Sequence, residues 1–138
     1  MTALQRVVVK TAEAPQPVGL YSQAIRVCAR ELMFIAGQIA LNVEGKLVGK
    51  NDAGAQTQQI YKNIGAILQS VGASFSNVVE FTTYVVGKDA PQAFMRTRTE
   101  IFPSLYPGGD YPPNTLLVVN ALVREEYLVE IKAVVALP

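Results

Sequence analysis

The chain contains no histidine and no tryptophan, and among its 138 residues there is a single cysteine, Cys28. Each absence closes off a class of chemistry. Without histidine, the Ser-His-Asp triad and the usual histidine-bearing zinc sites are excluded. Acid–base work then falls to carboxylates, tyrosine, lysine, water or the backbone. One cysteine builds no disulfide framework, and within an apolar strand Cys28 reads as a small buried hydrophobe. Charge of either sign is scarce: 12 basic residues face 11 acidic ones, for a net +1. With no Lys/Arg cluster either, the chain lacks the field that draws nucleic acid. No apolar run approaches the roughly 18–20 residues that cross a bilayer. Residues 1–10 show no apolar segment behind a positive charge, so no secretory signal is read and a cytoplasmic location is expected.

What the chain does have is apolar material. Hydrophobic residues make up 50% of it, and the mean hydropathy is +0.24. That is more than one domain of this length needs for its own core, so a subunit interface is expected to take the excess. No linker, repeat or second domain interrupts residues 1–138.

The pattern predicts strands over residues 4–10, 24–29 and 32–39, the last two as a hairpin about Arg30-Glu31. Gly37 inside the third run points to a bulge or to close backbone approach. After a loop at 42–50, Asn51 or Asp52 can cap a helix. Its buried face is predicted from Ala53, Ile60, Ile64, Ile67, Leu68 and Val71, and its stop from Gly72. A strand over 78–86 follows, rich in β-branched and aromatic residues. Asp89-Ala90-Pro91 then starts a second helix, with Phe94, Ile101, Phe102 and Leu105 buried and Pro103 expected to kink or end it. Two apolar runs, 115–123 and 127–137, flank Arg124-Glu125-Glu126 and read as a closing hairpin. The order is β-β-β-α-β-α-β-β, an α+β fold with one mixed sheet and two helices on one face.

Within the last run, Glu130 and Lys132 share a sheet face while Val129, Ile131, Ala133 and Val135 form the other. A carboxylate placed there needs a partner or a task. The surrounding residues supply a resemblance. Pro112-Pro113-Asn114-Thr115, an apolar strand, Leu122 and Val129-Glu130-Ile131 stand as in the RidA (YjgF) family. So do Gly19-Leu20-Tyr21-Ser22-Gln23-Ala24-Ile25, Phe34-Ile35-Ala36-Gly37-Gln38-Ile39, Gln56-Thr57 and Asn63-Ile64. The resemblance covers nearly the whole chain. It implies a homotrimer with sheets inside, helices outside and ligand sites in the clefts between subunits. It also implies hydrolysis of small reactive imines and enamines to 2-keto acids and ammonia, with neither cofactor nor metal, and no nucleic-acid or membrane partner.

By the same resemblance Glu130 orients water, Tyr21 closes the cleft from a loop, and the backbone of Gly37 approaches the ligand. Asn114 and Thr115 complete the substrate-binding set. The blander readings are an ion pair for Glu130 with Lys132 or an arginine, an aromatic plug for Tyr21, and an ordinary bulge for Gly37. One position departs from the family: active members carry arginine where this chain has Asn114. A neutral amide replaces a charged fork that can hold a carboxylate through two bonds, which predicts a divergent substrate. Arg96, Arg98 or Arg124 could replace the missing cation, although each reads first as a solvated surface residue. The alternative function is a non-catalytic trimer that binds a small ligand as a sensor or partner-binding module. A ribonuclease or translation-inhibitor role is disfavoured by the near-neutral charge.

Overall fold

The computed structural model describes residues 4–138; residues 1–3, part of the stretch read for a leader, lie outside the described residues. The elements follow in the expected order: β1 (Gln5–Val9), β2 (Ala24–Cys28), β3 (Glu31–Gln38), α1 (Ala53–Ser70), β4 (Val78–Val85), α2 (Ala90–Leu105), β5 (Asn114–Val118) and β6 (Val129–Leu137). A single 3-10 turn, Phe75–Asn77, precedes β4.

Four strands form a mixed sheet in the order β3-β6-β4-β5, while β1 and β2 pair as a separate antiparallel ribbon. Both expected hairpins are therefore corrected. β2 and β3 are neighbours in sequence but not in space: β2 returns onto β1, and β3 pairs with β6, Phe34 opposite Val134. The last two strands do not touch either. β4, α2 and β5 make a crossover unit, which sets β5 parallel to β4 on one flank. β6 takes the other flank of β4 and is zipped between it and β3. The second apolar run thus becomes the central strand, and the first becomes an edge that stops at Val118 rather than reaching 123.

Alternation along β6 sorts the two faces. Val129, Ile131, Ala133 and Val135 are buried beneath the helices, and Glu130, Lys132 and Val134 point the other way. α1 lays Ile60, Ile64 and Leu68 on the sheet. Its start is held by the Asp52 side chain, which accepts from Ala55 N–H at 3.0 Å. Its end is the predicted glycine stop: Gly72, at φ +71, lets its own N–H reach Gln69 O and that of Ala73 reach Leu68 O. Val71 is exposed, against expectation, because the helix has already ended there. Pro103 lies inside α2, which continues to Leu105; the ring falls in the last turn, and Tyr106 N–H still closes on Phe102 O at 2.7 Å. An aromatic cluster of Tyr61, Phe81, Phe102, Tyr106 and Tyr111, at edge-on, tilted and stacked geometry, cements helices to sheet. Cys28 is exposed rather than buried, since it ends the β1–β2 ribbon opposite Gln5, where no layer covers it.

The second face of the four-stranded sheet carries Leu32, Phe34, Thr82, Tyr84, Thr115, Leu117, Glu130 and Lys132 in register. Phe34 there is 72% exposed.

Candidate functional site

Glu130 emerges on the uncovered face of the central strand, opposite Tyr84 of β4. Its neighbour on the other side is Gly37, at the point where the β3–β6 register slips between Ile35 and Gln38. The bulge and the close approach expected of Gly37 are both present, and they are one feature. The carboxyl group of Glu130 lies against the glycine, where an added Cβ would stand 2.8 Å from Glu130 Cδ. Any side chain at 37 would push the carboxylate aside. The segment that follows β3 is anchored by Asn63 of α1, whose amide donates to Ile39 O and Leu41 O. A cavity lined by Gly37, Gln38, Ile39, Asn42 and Asn63 opens beside it.

Tyr21 belongs to a second cluster. It sits on the loop between β1 and β2, where its hydroxyl accepts from Val18 N–H at 3.2 Å. Its ring faces the guanidinium of Arg98, 5.8 Å from the Arg98 Cζ. Phe94, one helical turn away, offers its own ring at 5.1 Å. Ser22 N–H reaches Pro112 O at 3.4 Å, tying this loop to the segment that enters β5. Asn114 is the first residue of β5 and points to the helix-covered side, in register with Phe81. Its Oδ1 accepts from the fully buried Thr83 hydroxyl at 2.8 Å, which leaves the Nδ2 amine as a donor. Thr115, the next residue, therefore faces the opposite side with Thr82.

The structure thus sorts the expected residues into two groups. Gly37 and Glu130 meet; Tyr21 and Asn114 share a neighbourhood around the loop at 19–22. The groups lie on opposite faces, with β4 between Glu130 and Asn114. Two inter-strand spacings of about 4.8 Å add to that separation. Thr115 keeps company with the Glu130 face, but at the far edge of the sheet.

Arg98 is the residue that sequence reasoning misplaced. It is 4% exposed, not solvated, and burial lowers its pKa, an effect partly opposed by the nearby phenols of Tyr61 and Tyr21. The signal was present: Phe94, Arg98 and Phe102 recur every four residues, which places the arginine in the buried stripe of α2. Arg96 and Arg124 are exposed, as expected. Among the described residues no group of three or more His, Cys, Asp or Glu side chains is placed to hold a metal ion.

Residues 11–137 match the family described as Endoribonuclease L-PSP. A RutC family protein of Pyrococcus abyssi is 33% identical over 127 residues, 92% of this chain and 94% of its own. A mouse protein named 2-iminobutanoate/2-iminopropanoate deaminase is 31% identical over 134 residues, covering 97% of this chain and 93% of its own. Among solved structures, YyfB of the conserved Rid protein family from Yersinia pestis superposes with a TM-score of 0.85. It is 33% identical, over 96% of this chain and 98% of that one.

Proposed function

This chain belongs to the RidA (YjgF) family, described as Endoribonuclease L-PSP, and on that footing we propose that it is a hydrolytic deaminase of small imines and enamines, working as a trimer. The observation that carries the reading is the Glu130 carboxylate laid against Gly37 on an uncovered sheet face. A carboxylate so placed, beside a cavity, is positioned for water rather than for packing. The mouse relative bears the name of a deaminase of 2-imino acids.

In the proposed reaction, Glu130 accepts a proton from water as the oxygen adds to the imine carbon. The nitrogen takes up that proton to give a carbinolamine. Glu130 then passes the carbinolamine hydroxyl proton to the nitrogen as the C=O bond forms and the carbon–nitrogen bond breaks, releasing a 2-keto acid and ammonia. Atoms balance with one water consumed and no electron transfer. Because Glu130 and Tyr21 face different sides of one chain, a single substrate reaches both only across a subunit boundary. The exposed Phe34 and Leu117 of the uncovered face are the surface such a trimer would bury.

The test is ammonia release from 2-iminobutanoate generated in situ by a PLP-dependent dehydratase. The wild type is expected to exceed spontaneous hydrolysis, and Glu130→Gln to lose about 100-fold or more of that rate with its oligomeric state intact. A wild-type trimer that adds nothing to the spontaneous rate would overturn the deaminase in favour of a ligand-binding protein.

A further inference from the structure

Resting on the deaminase reading for the identity of its ligand, we infer that Arg98 of α2 is the residue that holds the substrate carboxylate in this chain. Arg98 is 4% exposed, and its Nε is buried with no hydrogen-bond partner. Among the described residues, the ionisable groups that act on it are two phenols, Tyr61 and Tyr21. An arginine stays charged in a protein, and a buried charge without a counter-charge is costly. The faces of Tyr21 and Phe94 offset part of that cost. They do nothing for the N–H groups in the guanidinium plane.

Those N–H groups have a direction. Nε and Nη2 form one edge of the guanidinium, the edge that accepts a carboxylate through two parallel bonds. Nε is the unpartnered atom, and Nη2 is the atom that lies against Gly19. A Cβ at position 19 would stand 2.7 Å from it. The glycine keeps clear the part of the fork a small acid would use. Tyr21, on the same loop, covers the cation from one side. The charged fork missing from position 114 is thus present one layer away. The link runs through Phe102, one turn beyond Arg98, which packs on Phe81, the register partner of Asn114. Asn114 keeps a single amide donor, suited to a carbonyl or imine rather than to a carboxylate. The expected ligand is a short 2-oxo or 2-imino acid, its carboxylate on Arg98 and its alkyl group against aromatic rings.

Titration calorimetry on the intact protein tests this with 2-oxobutanoate, and with 2-butanone as the analogue lacking only the carboxylate. Wild type is expected to bind the acid and not the ketone. Arg98→Gln should weaken acid binding by about 30-fold or more, the equivalent of about 2 kcal/mol, and raise KM in step. Arg98→Lys, with charge but no fork, should recover part of it. Thermal melts report whether Arg98→Gln folds. If it does not, Gly19→Ala, in an exposed loop, obstructs the same edge and should produce the same loss. Unchanged affinity in a folded variant, equal binding of ketone and acid, or no binding of the acid by wild type overturns the inference. Ammonia release whose KM ignores Arg98→Gln would sink Arg98 and spare the deaminase. Arg98-dependent binding without ammonia release would sink the deaminase and spare Arg98.

Discussion

Gln56→Leu should cost about 2–3 kcal/mol of stability and loosen the proposed catalytic carboxylate at the same time. Gln56 is fully buried in the first turn of α1. Its Nε2 donates to Gly49 O and Glu126 O, both at 3.0 Å, and its Oε1 accepts from Leu128 N–H at 2.8 Å. Leucine has nearly the same volume and removes all three bonds. Each is worth about 1 kcal/mol net, and a buried group left without a partner adds about 1–3 kcal/mol. The three partners do not suffer equally. Gly49 O keeps Asp52 N–H, and Glu126 belongs to an exposed turn where water can serve. The amide of Leu128 is the group left stranded. With the two carbonyls re-partnered in this way, the loss comes down to about 3–4 kcal/mol; burying an isobutyl group in place of an amide returns about 1–2 kcal/mol, which leaves about 2–3 kcal/mol.

Urea unfolding at fixed subunit concentration reads it out. With a slope of about 1–3 kcal/mol per molar, the midpoint should fall by roughly 1–2 M with the slope unchanged. Because Leu128 lies two residues before Glu130, kcat should fall more than KM rises. Gln56→Glu is the control: it keeps the acceptor for Leu128 but turns a carboxylate on two carbonyls, and should be no less damaging. A midpoint shift of under about 0.3 M in the leucine variant would mean that the clamp contributes packing alone.

Two other outcomes are expected. Burial raises the pKa of Tyr61 and of Tyr106, whose hydroxyl donates to Phe75 O; stability should therefore be full below about pH 10 and fall above it. The unfolded phenols ionise there while the buried ones stay protonated, at about 1.4 kcal/mol per pH unit per tyrosine. Urea midpoints at pH 9 and 11 check this, Tyr106→Phe should reduce the slope, and a flat profile refutes it. On the uncovered face, Phe34→Lys should convert the proposed trimer to a monomer by light scattering at micromolar concentration, since a charge would have to be buried against another subunit. A persistent trimer would remove this face from the contact.

Local chemistry was the most legible part of the chain. Asp52, Gly72 and the Ile60/Ile64/Leu68 stripe act within one helix, and propensity and period suffice to read them. The alternation that placed Glu130 opposite the Val129/Ile131 face is equally local. Partnership between strands was not legible in this way. Nothing in residues 115–137 says that β6 will leave β5 and enter between β3 and β4. That follows from the crossover through α2, a choice made over the whole sheet. Gln56, Thr57 and Tyr61 escaped the predicted core because polar atoms disguise a buried face until their partners, such as Leu128 N–H, are known.

Arg98 escaped for the same reason in a stronger form. Its spacing from Phe94 and Phe102 is that of a core residue, and its charge argues for the surface. A reading that weighs side chains singly lets the charge win. Taken with Asn114, the two positions make one arrangement. With a neutral amide at position 114 of β5, a cation buried on α2 without an anion would be a net cost. A carboxylate ligand resolves both facts together, since it supplies the anion that the α2 guanidinium lacks and needs no charge from position 114. For that reason Asn114→Arg in the wild-type background should not improve binding of 2-oxobutanoate: it would set a second cation beside Arg98 for one carboxylate. In the Arg98→Gln background the same substitution should restore it. The difference between those two backgrounds is the coupling that a structural arginine, buried only to fill space, would not produce.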